Sequence, residues 1–286
     1  MSSRYTVLFL NHTALLGGGA ETVLRQIIAG LDRRRFGPVI ALPSGAFMDE
    51  LQSQEDTRVE EVHFIGLTRT FNPLKLFVYC LYLVKNTISL IRVIRSHAPD
   101  IVYANSYYSC ILGILACKLM RLPVVWHVHD IHPPNIFSRV LVPCLGLLCS
   151  RMIAISGAVE RNLQSYGVLP HKIELIHNGV DITVYGNSDA RRREELKREL
   201  EIQGHRYVVG TIGQPVPRKR LEDFVQAAVL VLEDLPETVF VAVGKPISVG
   251  GFRYEQKVRK LVDDLGLHDH FVFAGFRSDV PDILAV

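Results

Sequence analysis

Short, continuously apolar runs alternate with longer segments of helical spacing from one end of this chain to the other. Tyr5–Leu10 is such a run; a glycine loop follows, then Glu21–Leu31 with helical spacing. Pro38–Leu42 and Val59–Phe64 read as the second and third strands, and Leu74–His97 as a long helix. Strand Ile101–Ala104, helix Tyr108–Met120, strand Val124–Val128, helix Phe137–Cys149 and strand Met152–Ile155 come next. Gly157–Tyr166 reads as a helix behind Ser156, a good N-cap residue, and Lys172–Ile176 as a last short strand. Apolar strands joined through helices bury both their faces in a parallel sheet covered on two sides. The expectation is an α/β fold, doubly wound and Rossmann-like.

A second series follows the first. Asn178-Gly179-Val180-Asp181 is a turn signal, and Asp189–Glu201 carries the run DARRREELKRELE, the pattern of a solvated helix face. Strands are expected at Tyr207–Ile212, Thr238–Val243 and His270–Ala274, with helices at Leu221–Glu233 and Tyr254–Leu265. Two domains are therefore expected, 1–185 and 186–286. The second supplies three strands, half of an open sheet of this class, and reads as incomplete. An unpaired edge and exposed apolar surface are expected to leave the chain as given poorly stable or inactive.

Composition narrows the function classes. A chain of 286 residues with 48% apolar and 21% charged residues is globular, not disordered. Its net charge of +3 gives no case for nucleic acid as a partner. The five cysteines, at 80, 110, 117, 144 and 149, are odd in number and lie in apolar runs without a CxxC pair. Buried reduced thiols are expected, with a metal site or a disulfide framework as the alternatives. The apolar run before Asn11 is too short for a signal peptide core, so a cytoplasmic protein is expected. Lys75, Lys85, Asn86 and Arg92 interrupt the apolar stretch Leu74–Ile94, and Arg139 and Arg151 mark Ile136–Met152. Two helices lying against a sheet are expected there; basic residues beside Phe, Tyr and Leu also suit peripheral contact with a membrane.

Several residues sit where chemistry is done in such folds. Gly17-Gly18-Gly19 follows the first strand and opens a helix, where bare backbone and free N–H groups suit a phosphate; a plain turn is the alternative. The loop matches neither the dinucleotide fingerprint nor a P-loop. His127, His129 and Asp130 lie at the carboxyl end of strand Val124–Val128, and alternation puts both histidines on one face. They suit hydrogen bonds to a ligand hydroxyl, a metal site, or a structural role. Arg218-Lys219-Arg220 stands after strand Tyr207–Ile212, just before a helix, where cations oppose the helix dipole; a diphosphate would explain them, as would a solvated basic turn. Gly244-Lys245-Pro246 ends the next strand and either lines the same cleft or makes a simple turn.

Taken together, these pieces resemble the retaining glycosyltransferases of the GT-B fold, particularly family 4. The matching segments are GGGAET, PDIVYANS at 99–106, HVHD at 127–130, IAISGAVERNL at 153–163 and LIHNGVD at 175–181, then VGTIGQPVPRKRLEDFVQAA at 209–228, VFVAVGKP at 239–246 and LGLHDHFVFAGFRSDVP. The resemblance implies two Rossmann-like domains facing across a cleft, with the acceptor mainly on the first and a nucleotide-sugar donor mainly on the second. A hexosyl group would pass to a hydroxyl acceptor with retention, in polysaccharide or glycolipid assembly, with no cofactor and no essential metal. Lys219 matches the family's diphosphate lysine, Gly18 and Gly19 its N-terminal glycine loop, and His129, or His127, the histidine that reaches the donor sugar. Asn178–Asp181 match the hinge.

The catalytic set implied is thus His129, Asp130 and Lys219; donor binding would fall to Gly18, Gly19, His127, Gln214, Arg218, Lys219 and Gly244. Gln214 stands where the family often has an arginine, so one cation is lost or Arg218 replaces it. The family's paired glutamates have no match in 247–286, which implies a chain truncated at its C-terminus. A glycan or lipid-linked acceptor is the expected partner besides the nucleotide sugar. A sugar-nucleotide epimerase of the same fold and a non-catalytic or partner-binding fragment are the rival readings.

Overall fold

The computed structural model describes residues 4–15, 17–54, 56–64, 72–185 and 189–286. The chain divides into two compact units, Met1–Gly179 and Val180–Val286. The boundary expected after residue 185 abuts residues outside those described.

In the first unit, β1 (Tyr5–Leu10), α1 (Gly19–Ala29), β2 (Phe36–Leu42), α2 (Ala46–Gln52), β3 (Arg58–Glu61) and α3 (Pro73–His97) come first. β4 (Ile101–Ala104), α4 (Tyr107–Leu119), β5 (Val124–Val128), α5 (Ile136–Leu148), β6 (Arg151–Ala154), α6 (Gly157–Ser165) and β7 (Ile173–Leu175) follow. The strands pair in parallel in the order β3-β2-β1-β4-β5-β6-β7. Alternation along the strands divides the core in two. Leu8, Leu10, Val102, Ala104, Trp126 and Met152 pack with α3, α4, α5 and α6. Val7, Phe9, Ile40, Leu42 and Tyr103 pack on the other face with α1 and α2. The chain therefore switches sheet faces between β1 and β4, so the connections that leave their carboxyl ends run to opposite faces, which is where open α/β sheets bind ligands.

Short polar side chains begin the helices. Ser106, Asn135 and Ser156 each accept a backbone N–H from the first turn of α4, α5 and α6. Two expectations fail here. α3 lies along the sheet only in its second half: it is buried only from Asn86 onward. At 25 residues it is about 38 Å long, against about 13 Å for four-residue β4, so its first half overhangs the sheet. Nor are the thiols all buried. Cys110, Cys117 and Cys149 are, but Cys80 on the overhang and Cys144 on the outer side of α5 are exposed.

The second unit contains α7 (Ala190–Glu199), β8 (Tyr207–Ile212), α8 (Leu221–Asp234), β9 (Thr238–Val243), α9 (Val249–Asp264), β10 (Phe271–Gly275) and α10 (Val280–Ile283). Its parallel sheet runs β10-β9-β8, with central β9 buried along its whole length. Phe240 and Ala242 pack with α8 and α9; Val239, Val241 and Val243 pack with Leu200 and Ile202. The charged run on α7 is not simply solvated. Arg192 reaches Glu199 at 2.7 Å and Asp279 at 2.8 Å, and Arg277 joins Glu199 and Asp279. α9 begins five residues before the expected Tyr254, because Ser248 accepts the Gly251 N–H at 3.1 Å and caps the helix ahead of the two glycines.

Candidate active site

The residues that directly follow β1 and β4 meet at the switch point. Asn105, after β4, donates from Nδ2 to Asn11 Oδ1 at 3.0 Å and to the Ala20 carbonyl at 3.0 Å. Asn11 Nδ2 donates to the Thr13 carbonyl at 2.7 Å and, at 3.4 Å, to Glu21 Oε1, which also accepts from the Thr13 hydroxyl. Asn11, Asn105 and Glu21 are all buried. This network holds the glycine loop against the sheet. Gly17 takes a φ of 86°, which favours glycine, and Gly18 is the N-cap of α1 without a side-chain cap of its own. A Cβ on Gly18 would collide with the Glu21 carboxylate, whereas Gly19 faces open space.

Two histidines extend the network. His129 Nε2 donates to Asn105 Oδ1 at 3.3 Å, and the His127 and His129 rings lie 4.1 Å apart between centroids. His127 Nδ1 pairs with the Tyr103 hydroxyl, while its Nε2 is buried without a partner among the described residues. Burial drives the His127 imidazole down to about 3, and neighbouring His129 adds to the effect. Burial also lowers His129, with Asp130 and Glu21 pulling the other way. His12, bonded to the Ser106 hydroxyl at 2.8 Å, is lowered by burial against the same two carboxylates. All three rings are thus uncharged at neutral pH, fit to hydrogen-bond a hydroxyl rather than to bind an anion. Asp130 is exposed and acts on both His12 and His129 through its charge. Beside His127 a cavity of about 560 Å³ opens under α1, lined by Val23, Ile27, Tyr103, Ile153 and His177.

The second unit has its own site at the carboxyl ends of β8 and β9. A small cavity of about 30 Å³ is lined by Gly213, Gln214, Lys219, Gly244 and Glu255 among others. Gly213 and Gly244 take φ values of 157° and 142°. A Cβ on Gly244 would stand 2.0 Å from the Gly213 carbonyl, so bare backbone is required there. Lys219 ends a short 3-10 turn, Pro217–Lys219, and is exposed. The conflict expected between three cations and the helix dipole is reduced. Arg220 is the N-cap of α8 in the left-handed region, and its guanidinium grips Asp223 of the first turn at 2.8 and 2.9 Å. Arg218 is exposed and does not line the cavity. Tyr254 accepts the Leu221 N–H at 2.9 Å and donates to Glu222, which holds the start of α8 behind the lysine.

Within the first unit, then, the glycine loop, His127, His129 and Asp130 belong to one region; within the second, Gln214, Lys219 and Gly244 share a cleft. Asn11, His12, Glu21, Tyr103 and Asn105 were missed by sequence reasoning. The one signal for them was local: a polar residue directly after an apolar strand, at Asn11 and at Asn105.

Comparison with known proteins bears on this geometry. The family model described as Glycosyltransferase Family 4 matches residues 17–184, and that described as Glycosyl transferases group 1 matches residues 192–285. The UDP-Gal:alpha-D-GlcNAc-diphosphoundecaprenol alpha-1,3-galactosyltransferase of Escherichia coli is 27% identical over 214 residues, which cover 70% of this chain and 53% of that protein. The D-inositol 3-phosphate glycosyltransferase of Kribbella flavida is 25% identical over 187 residues, 59% of this chain and 43% of that one. The chain spans about half the length of the curated relatives it matches. Among solved structures, Anabaena HepE in complex with UDP and glucose is 26% identical with a TM-score of 0.78, over 98% of this chain and 71% of that one. The same protein with UDP-glucose gives a TM-score of 0.79 at 25% identity. The two Rossmann-like units are those of the GT-B fold. The two family models follow one another along the sequence, the first covers more than half of it, and the chain belongs to glycosyltransferase family 4.

Proposed function

We propose that this chain serves a retaining glycosyl transfer, in which a hexosyl group passes from a nucleoside-diphosphate sugar to a hydroxyl acceptor in polysaccharide or glycolipid assembly. The observation that carries the reading is Lys219 beside the bare backbone of Gly213 and Gly244, where a diphosphate can come close to the cation with no Cβ in the way. Lys219 stabilises the departing diphosphate, so the step needs no metal or cofactor. Gln214 and Gly244 line the same cleft, and Arg218 lies beside it in sequence as a further cation for the donor. His129 with Asp130, and His127 behind them, serve sugar hydroxyls, with Gly18 and Gly19 as close-approach backbone. UDP as the nucleotide is supported by the HepE complexes, and a lipid-linked diphosphate glycan as acceptor by the name of the Escherichia coli relative. A cytoplasmic location goes with this reading.

The test is calorimetric titration of the 286-residue chain with UDP and with UDP-glucose, with and without EDTA. Binding is expected in both conditions. Lys219→Ala is expected to weaken it about ten- to a hundredfold, the range for hydrogen bonds to charged groups. Unchanged affinity in that variant overturns the assignment. Incubation with the donor alone, followed by NMR of the sugar, is expected to leave the sugar unchanged; an inverted ring centre in free donor would make the chain an epimerase.

A further inference from the structure

The first half of α3 is apolar on every side and largely exposed. From Asn72 to Lys85 no residue is buried; Leu74, Phe77 and Leu81 are 71%, 60% and 55% exposed. Isolated helices of this length are marginal in water, so such a segment needs an apolar environment. α3 packs against α4 and α4 against α5 on one sheet face, and the outward sides of these helices add Leu119 and Leu147. The charge on these three helices has one sign. Lys75, Lys85, Arg92, Arg95, Lys118 and Arg139 are exposed on the three helices, which contain no aspartate or glutamate.

We propose that this face docks the protein on an anionic lipid bilayer, with Pro73–Lys85 lying in the interface. By length and composition α3 passes as a membrane span. Its second half is held in the core by Leu90, Val93 and Ile94, however, which leaves only about 20 Å of free helix against a hydrocarbon layer of about 30 Å. The helix therefore dips into the membrane surface and does not cross it. A second copy of the chain is disfavoured as occupant, because it would set one cationic face against another. The proposal rests on these helices alone and not on the donor chemistry.

Sedimentation of the full chain with vesicles of phosphatidylcholine, with and without phosphatidylglycerol, tests it. Binding is expected only to the anionic vesicles, and is expected to weaken with salt. Lys75→Ala and Lys85→Ala are each expected to weaken it about fivefold. Phe77→Glu with Leu81→Glu is expected to abolish it while the circular dichroism stays unchanged, since both side chains are exposed. Cys80, exposed on the same helix, is expected to lose reactivity toward a water-soluble maleimide on the vesicles. Alkaline carbonate is expected to release the bound protein, as it does surface-bound chains. No binding to anionic vesicles overturns the proposal; so does binding that survives the double glutamate variant, or resistance to carbonate. Self-association that the double variant abolishes, without vesicle binding, assigns the face to a second copy.

Discussion

Gly244 stands where no side chain fits. Its φ of 142° and the Gly213 carbonyl 2.0 Å from an added Cβ both exclude alanine. Gly244→Ala is expected to destabilise the second unit by about 1–3 kcal/mol, read from urea denaturation, and to weaken UDP binding by shifting the backbone beside Lys219. The histidines of the first unit make stability depend on pH. His127 is held near 3 in the folded protein, against 6.5 for the free side chain, so below pH 6.5 the unfolded chain binds the proton first. The stability that its neutral ring represents is complete above 6.5 and is lost between 6.5 and about 3, by up to about 1.4 kcal/mol per pH unit. His127→Gln is expected to flatten that slope in denaturation series run across the window; an unchanged slope would assign it to other groups. At this scale the sequence revealed the glycines and the histidine pair, since a strand's period of two puts His127 and His129 side by side. It did not reveal Glu21 as the centre of a buried network, because the network closes through Asn105, 85 residues from Ala20.

Among the elements, the ends were harder to read than the middles. α5 has no glycine to end it. Instead the Lys172 ammonium, from just before β7, donates to the carbonyls of Gly146, Leu147 and Cys149 at 2.9, 2.9 and 3.0 Å. Lys172→Met would strip these acceptors of their partner, and a loss of about 1–3 kcal/mol is expected in urea denaturation, partly recovered by Lys172→Arg. A lysine 23 residues or more along the chain carries no sequence mark of such a cap. α9 was misread for a related reason. The sequence places its start at Tyr254, yet Ser248 caps the helix ahead of Gly250 and Gly251, and Gly251 packs where a Cβ would lie 3.1 Å from Pro246. α3 was placed correctly along the chain but not against the sheet, since periodicity does not say how far a helix outruns the strands beneath it.

In the molecule as a whole, each unit has its own core on both faces of its own sheet, although in the second unit the edge strand β8 has no buried residue, as expected of an unpaired apolar edge. Two unfolding transitions are expected in calorimetry, one lowered by Lys172→Met and the other by Gly244→Ala; a single transition moved by both variants would mean that the units melt as one. The sequence by itself determined the α/β class, the run of strands and helices, the two parallel sheets and the family, because those follow from short-range periodicity and from motifs held within a few residues. Only the tertiary structure decided that Asn11 and Asn105 meet, that Lys172 caps α5, that Lys219 rather than Arg218 lines the cleft, and that half of α3 stands clear of the core. Those outcomes depend on which distant segments the sheet order brings together, and on lengths in space that no local pattern of residues encodes.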